Sequence, residues 1–353
     1  MNSALFYKDK PLFGLDIGFN TIKVMQLNRH TNQYVVSGYG VGSFDAKAIE
    51  NGVVVDYESM AKSANELFDH KIIGEINTRR VAVSVPAART FNRPMTLPVQ
   101  AAKDLDEAVR LEAEQYIPVP LDDLYIDYVI NNRSEKEIGL LAVASPRKMI
   151  DSYLTLMNVL GLEPVTMETT IGATGRLFLQ TDQSDTPTVL IDFGSISADI
   201  TIYDKGLIVT GTVPCGGDNF TDAISTFLGV TKDEAHIIKT KYGLGPSKKQ
   251  ADIKAALAPQ LEQLVKEIRR MIRYYEDRSG KNGTINQIVT MGGGANMPGL
   301  SEYMTNTLRL PVRTCDPWER LTFGRLQPPS SVEQSMYVTV AGLALIDSKE
   351  IFK

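Results

Sequence analysis

Phe13-Gly14-Leu15-Asp16-Ile17-Gly18 runs into Phe19-Asn20-Thr21-Ile22-Lys23-Val24, and about half the chain later Val189-Leu190-Ile191-Asp192-Phe193-Gly194 runs into Ser195-Ile196-Ser197-Ala198-Asp199-Ile200. Each stretch is an apolar run, an Asp, a Gly-containing turn with small polar residues, and a second apolar run. That pattern predicts a β-hairpin in both places. Such a hairpin presents one carboxylate and several backbone N–H groups at its turn. A pair of them suits a polyphosphate and its metal ion. Further along, Ile288-Val289-Thr290-Met291-Gly292-Gly293-Gly294-Ala295-Asn296 adds a strand that ends in three glycines.

The residue types divide the work. Glycine lets backbone donors come close to phosphate oxygens because no Cβ intervenes. Gly18, Phe19, Asn20 and Thr21 form one expected phosphate turn, and Gly194 with Ser195 forms the other. Gly216 and Gly217 are expected over the phosphates, and Gly292, Gly293, Gly294 and Ala295 against base and sugar. Asp16 and Asp192 would repel phosphate directly, so they are expected to hold the water shell of Mg²⁺. Lys23 is expected to reach back toward the phosphates. Each piece alone is weak, since Asp-x-Gly turns and glycine runs have ordinary structural uses. Two Asp hairpins followed by Gly-Gly and then Gly-Gly-Gly point to a nucleotide.

The bulk properties remove other classes. The chain has 353 residues, 43% hydrophobic and 22% charged, so more than one domain is expected. A formal net charge of -5 gives no reason to expect nucleic acid as a partner. The basic run Glu267-Ile268-Arg269-Arg270-Met271-Ile272-Arg273 has helical spacing and reads as a solvated helix face. Two cysteines without CxxC spacing and three scattered histidines argue against zinc and against a disulfide framework. Cys215 reads as a small apolar filler. No signal-peptide pattern opens the chain, and no apolar run approaches the ~20 residues of a membrane span.

Between the two hairpins the expected elements are a strand at 34–39, a helix from Asp56 to Phe68 and a strand from Arg80 to Pro86. A helix from Ala102 to Ile117 is stopped by Pro118 and Pro120. A strand at 139–144 and a helix from Pro146 to Leu160 follow, with Gly161 as its C-cap. This makes a separate strand-helix-strand-helix unit of roughly 79–165. The polar stretch from Gln180 to Pro187 is the expected linker. Beyond the second hairpin a long helix carries Leu261, Leu264, Val265, Ile268, Met271, Ile272 and Tyr275 on one face.

With these residues the chain resembles the actin-like ATPase superfamily, which also holds sugar kinases and heat-shock chaperone ATPases. In that fold the hairpins are the two phosphate loops and the triple glycine is the adenosine motif. The resemblance narrows to the PilM family of type IV pilus assembly proteins, relatives of the division protein FtsA. It is carried by Gly52-Val53-Val54-Val55-Asp56, Val81-Ala82-Val83-Ser84-Val85-Pro86, Glu112-Ala113-Glu114-Gln115-Tyr116-Ile117-Pro118, Gly161-Leu162-Glu163-Pro164-Val165, Gly216-Gly217-Asp218-Asn219-Phe220-Thr221 and Ala341-Gly342-Leu343-Ala344-Leu345.

The resemblance implies an α/β, ribonuclease H-like duplicated fold with a nucleotide cleft between two lobes. It implies subdomain 1A at 1–78, 166–185 and 325–353, and an FtsA-type subdomain 1C at 79–165. Subdomain 2A falls at 186–217 and 284–324, and 2B at 218–283. ATP and Mg are the implied ligands. The family places a Glu and a Lys near the ribose; here His236 stands at the Glu position and Lys239 matches.

The function implied is an ATP-binding adaptor, cytoplasmic and held at the inner membrane only through its partner. That partner is the cytoplasmic N-terminal tail of a PilN-like protein, bound in a groove between the first domain and 1C. Pilus motor or platform proteins and a homo-oligomer are further partners the resemblance allows. Two other readings stand beside it. One is a kinase or vigorous ATPase, for which Glu168 is the candidate for positioning water, although a helix-start carboxylate has a structural use as well. The other is an FtsA-type division filament, which uses an amphipathic membrane helix on a linker. Here 342–353 follows the last motif directly, so self-anchoring is not expected.

Overall fold

In the computed structural model, which describes residues 10–30, 33–181, 186–279, 283–347 and 351, the first repeat forms β1 (Phe13–Ile17) and β2 (Thr21–His30). The second forms β12 (Thr188–Phe193) and β13 (Ala198–Tyr203). The chain divides into two compact units, Met1–Thr181 with Pro317–Pro329 and Thr339–Lys353, and Asp182–Asp316 with Ser330–Val338. Each unit holds one of the repeated hairpins.

In the first unit β3 (Gln33–Ser43), a short ladder of β4 (Ile49–Glu50) and β5 (Val53–Val54), helix α1 (Tyr57–His70) and β6 (Ile72–Gly74) follow the hairpin. Then come β7 (Arg80–Val85) and, after an insertion, α3 (Arg147–Val159), β11 (Glu163–Thr169) and α4 (Thr170–Thr181). The sheet order is β11-β7-β1-β2-β3-β17, with β17 at Leu321–Thr322 and β6 also on β3. β1 and β7 run parallel, and all of their residues are buried. Such central strands read as apolar runs because both faces are covered. Residue size sorts those faces. Phe13, Leu15, Val81 and Val83 share a core with Met60 and Leu67 of α1 and Tyr153 and Leu156 of α3. The alternate residue Ala82 packs with Ala173 and Leu343 on the other face. There a Cβ on Gly342 would stand 1.9 Å from the Ala173 carbonyl oxygen, so only glycine fits.

The insertion is an antiparallel sheet of order β8-β10-β9, made by Phe91–Pro98, Glu137–Pro146 and Leu124–Arg133. Its single α-helix among the described residues, α2 (Leu105–Glu114), buries Val109 and Ala113 against Met95, Leu97, Leu140 and Ala142. α2 is shorter than the 102–117 pattern because Asp104 caps it, accepting from the Glu107 amide at 3.2 Å. Of the 79–165 segment, only residues 91–146 make this separate layer. β7 belongs to the large sheet, and α3 to that sheet's core.

The second unit continues with β14 (Leu207–Val213), α5 (Gly217–Leu228), α6 (Lys232–Lys241), α7 (Gln250–Ser279), β15 (Gln287–Met291), α8 (Leu300–Leu308) and β16 (Val312–Thr314). Its sheet order is β14-β13-β12-β15-β16. Both sheets therefore have an antiparallel three-strand meander that begins with the Asp strand. In both, that strand also has parallel neighbours on its other side. The duplication seen in twelve residues extends to five strands. α7 buries Leu261, Leu264, Val265, Ile268, Met271 and Tyr275 as its spacing predicts. Its basic run is a helix face: Arg270 pairs with Glu267, and Arg269 donates to the Thr307 carbonyl at 2.8 Å. Of the expected linker, Gln180 and Thr181 end helix α4, and 182–185 lie outside the described residues. The C-terminal α9 (Val338–Ala344) carries the Ala-Gly-Leu-Ala motif. Among the described residues no helix is long and apolar enough to cross a membrane.

Candidate nucleotide site

The two turns are built by the same bond. The Gly18 amide donates to the Thr21 carbonyl at 2.8 Å, and the Gly194 amide donates to the Ser197 carbonyl at 2.9 Å. Each closes a two-residue loop, Phe19-Asn20 in one and Ser195-Ile196 in the other, and Phe19 and Ile196 stand exposed. A Cβ at Gly18 would meet the Thr21 hydroxyl oxygen and one at Gly194 the Ser197 carbonyl oxygen, each at 3.3 Å, a close approach within the turn itself.

Beneath the first turn Asp16 is buried and both its oxygens are engaged. Oδ2 accepts from Lys23 Nζ at 2.9 Å and Oδ1 from the Ser84 hydroxyl at 2.7 Å. Ser84 also accepts from the Ile17 amide at 3.3 Å. Lys23 is itself buried and sits directly across the ladder from Asp16. The structure thus brings Asp16, Gly18, Thr21 and Lys23 together. It places the lysine on the aspartate.

In the second unit Asp192 faces Asp199 across the ladder, and Asp199 accepts from the Thr212 hydroxyl at 2.6 Å. The Gly216-Gly217 pair lies against the turn. The Gly217 amide donates to the Gly194 carbonyl at 2.9 Å and the Asp218 amide to the Ser195 carbonyl at 2.6 Å. A Cβ on Gly216 would fall 2.3 Å from the Ser195 oxygen, which explains that glycine by close backbone approach. Gly217 in turn receives Lys239: Nζ donates to its carbonyl at 2.7 Å and to the Thr221 hydroxyl at 2.9 Å. Burial holds the Lys239 ammonium below the usual lysine range, opposed by the charge of Asp218. His236, three residues earlier on α6, is exposed. The Cys215 thiol is fully buried and pushed up to about 12 by that burial, so it is no thiolate at neutral pH.

The three glycines after β15 have separate reasons. Gly292 has φ +77, and its Cβ would lie 2.3 Å from Asp192 Oδ1. Gly294's would lie 2.8 Å from Phe193 Cβ, whereas Gly293's would meet only Met336 Cβ at 4.0 Å. Gly292 and Gly294 serve the fold; Gly293 is exposed, with room over it. Ala295 is buried behind them. Ser335 fixes the motif, accepting from the Gly292 amide on its carbonyl at 3.1 Å and donating its hydroxyl to the Gly292 carbonyl at 2.9 Å.

Glu168 is held in a two-point pair with Arg176, Oε2 to NH1 at 2.5 Å and Oε1 to NH2 at 2.9 Å. That geometry accounts for the carboxylate structurally. Among the described residues no group of three or more His, Cys, Asp or Glu gathers.

A family model described as type IV pilus assembly protein PilM matches residues 14–348. The chain belongs to that family. Among solved structures, this PilM-family chain is similar to one described as a PilM-PilN type IV pilus biogenesis complex. The TM-score is 0.82 at 21% identity, over 95% of this chain and 97% of that one. MreB5 of Spiroplasma citri bound to AMPPNP aligns with a TM-score of 0.56 at 12% identity, over 98% and 96% of the two chains. Among curated proteins, cell division protein FtsA of Bacillus subtilis (strain 168) is 25% identical over 346 residues, spanning 86% of this chain and 78% of that protein. The fold is the actin-like one expected from the duplicated hairpins.

Three residues at the site were not singled out from sequence. Ser84 was legible only as a polar interruption in Val81–Val85. Asp199 sits at the same offset from Asp192 as Lys23 from Asp16, and that comparison would have found it. Ser335 lies far along the chain in a segment without a motif.

Proposed function

We propose that this chain is an ATP-binding adaptor of the type IV pilus inner-membrane assembly complex, and that it binds the cytoplasmic N-terminal tail of a PilN-like membrane protein. The observation that carries the partner is the whole-length match to the PilM-PilN complex. For the ligand, support comes from the two matched turns, the open face at Gly293 and the fold shared with a nucleotide-bound MreB5. In the first unit the turn amides and Lys23 are the proposed phosphate contacts; in the second the turn amides take that role, with Gly293 toward the base and Lys239 with His236 toward the ribose. Asp16 and Asp192 would hold the hydration shell of Mg²⁺, which would supply charge neutralisation of the phosphates, and Asp16 also supports the first turn through Lys23 and Ser84. Location at the cytoplasmic face of the inner membrane follows from the partner. Glu168 remains the candidate for water positioning only by releasing Arg176, so slow turnover at most is expected.

Calorimetric titration of the PilN-like tail peptide into the full chain with Mg-ATP tests the adaptor reading. Saturable one-to-one binding is expected. No binding together with phosphate transfer to a metabolite would establish the kinase reading instead. The FtsA-like filament is the second reading, favoured by the 25% identity to FtsA; sedimentable polymer with Mg-ATP and strong liposome binding by the chain alone would support it.

A further inference from the structure

Helices α5 and α7 of the second unit leave a pocket of about 430 Å³ between them. Asp222, Ala223, Thr226 and Phe227 line it from one face of α5, and Ala256 and Gln260 stand one turn apart on α7. The same helices send Phe220, Ile224, Ile253, Leu257 and Leu261 into the unit's core, so the pocket lies outside a closed interior. Three of its residues give it a chemistry. Gln260 Oε1 is buried and has no hydrogen-bond partner among the described residues. Asp222 is the one charged lining residue; its Oδ1 accepts at 2.7 Å from Lys232, which stands outside the lining, and both side chains are exposed. Phe227 is 55% exposed. We propose that this pocket is a docking site for an arginine side chain carried on an apolar segment of a partner protein. It is an interface separate from the groove assigned above to the PilN-like tail.

The occupant is set by what the lining lacks. A buried acceptor without a partner carries a cost that an incoming donor removes. Gln260 has three side-chain torsions with which to bring its oxygen to a donor seated in the pocket. Asp222 repels anions, and no lining Lys, Arg or His offsets it. Its pair with Lys232 is exposed and therefore weak, so an arriving cation can take the carboxylate. Arginine suits the site better than lysine. One planar guanidinium reaches two separate acceptors and lies flat against the Phe227 ring. Ala223 and Ala256 leave room for its methylene stem. The volume falls in the range that takes a drug-sized molecule, more than one side chain fills, which leaves space for apolar neighbours of the arginine beside Phe227. The whole site belongs to the second unit, and it stands whether or not a nucleotide binds.

The test is fluorine NMR of the full chain labelled with para-fluorophenylalanine, the Phe227 resonance being assigned by its loss in Phe227→Leu. The probes are acetyl-Leu-Arg-Leu-amide, the same peptide with citrulline or Glu in place of Arg, and butylguanidinium. The Arg peptide is expected to shift the Phe227 resonance saturably. The citrulline and Glu peptides should bind about tenfold or more weakly, because they lose the charge-assisted hydrogen bonds. Asp222→Asn and Gln260→Leu should each weaken the Arg peptide by roughly three- to tenfold. Ala223→Leu, which fills the pocket, should abolish the shift. The other phenylalanine resonances and the melting temperature report whether each variant keeps its fold, and the two polar variants carry the test if Ala223→Leu does not. No saturable shift with the Arg peptide, equal binding of the citrulline or Glu peptide, or full affinity in both Asp222→Asn and Gln260→Leu overturns the proposal. Butylguanidinium binding as tightly as the peptide overturns the protein source and makes the occupant a small free cation.

Discussion

At the scale of single residues, the triple glycine separates a site position from two structural ones. Gly293→Val adds a side chain into open space, so the melting temperature should stay within a degree or two while ATP affinity is lost. Gly292→Ala forces a Cβ into Asp192 at a positive φ and should destabilise by roughly 1–3 kcal/mol in urea unfolding. If both variants bind ATP normally, the adenosine assignment is wrong. Lys239 makes a pH-dependent prediction. Its folded value lies below the ordinary 10.5 because burial disfavours the charge. The unfolded chain then binds more protons than the folded one between those two values, and stability rises with pH there. Unfolding midpoints of the wild type should gain on those of Lys239→Met as pH climbs toward 10.5, and a flat difference would show that the amine is not penalised. Sequence made Asp16, Asp192 and the glycines visible because their types are unusual at strand ends. Ser84 escaped, since a serine in an apolar strand has no signature until the neighbouring strand puts Asp16 beside it.

Elements were legible where periodicity was long. The 30-residue α7 and the hairpin strands followed their apolar spacing, whereas α2 came out shorter than its pattern because one capping carboxylate set its start. Asp104→Ala should therefore cost about 1 kcal/mol and raise hydrogen exchange across 105–114, leaving β1 and β2 protected. β9 and β14 were not foreseen: β9 mixes exposed Val129 and Ile130 with polar residues, and β14 has a middle that is only partly buried. Strands half exposed at a sheet edge lack the contrast on which pattern reading depends. The pair between Glu168 of β11 and Arg176 of α4 also belongs to this scale. Glu168→Gln should lower stability by about 1–2 kcal/mol with ATP affinity intact; unchanged stability and abolished turnover would instead restore it as the water-positioning group.

For the whole molecule, a ligand held by the native chain stabilises it by mass action, about 2.7 kcal/mol at a hundred times Kd. ATP with Mg²⁺ should raise the calorimetric melting temperature accordingly, and no shift at saturating nucleotide would speak against the site. Liposome sedimentation should leave the isolated chain in the supernatant until a PilN-like tail anchored to the vesicle is supplied. By itself the sequence determined the duplicated hairpin fold and the family, because strand alternation, turn glycines and helix faces are local rules that repeat along the chain. Tertiary structure alone decided that Lys23 sits on Asp16, which glycine of three faces outward, and that the insertion is the narrower 91–146 layer. Those depend on what a neighbouring strand or helix brings within about 3 Å, and residues 68 positions apart, as Asp16 and Ser84 are, carry no mark of each other until the sheet forms.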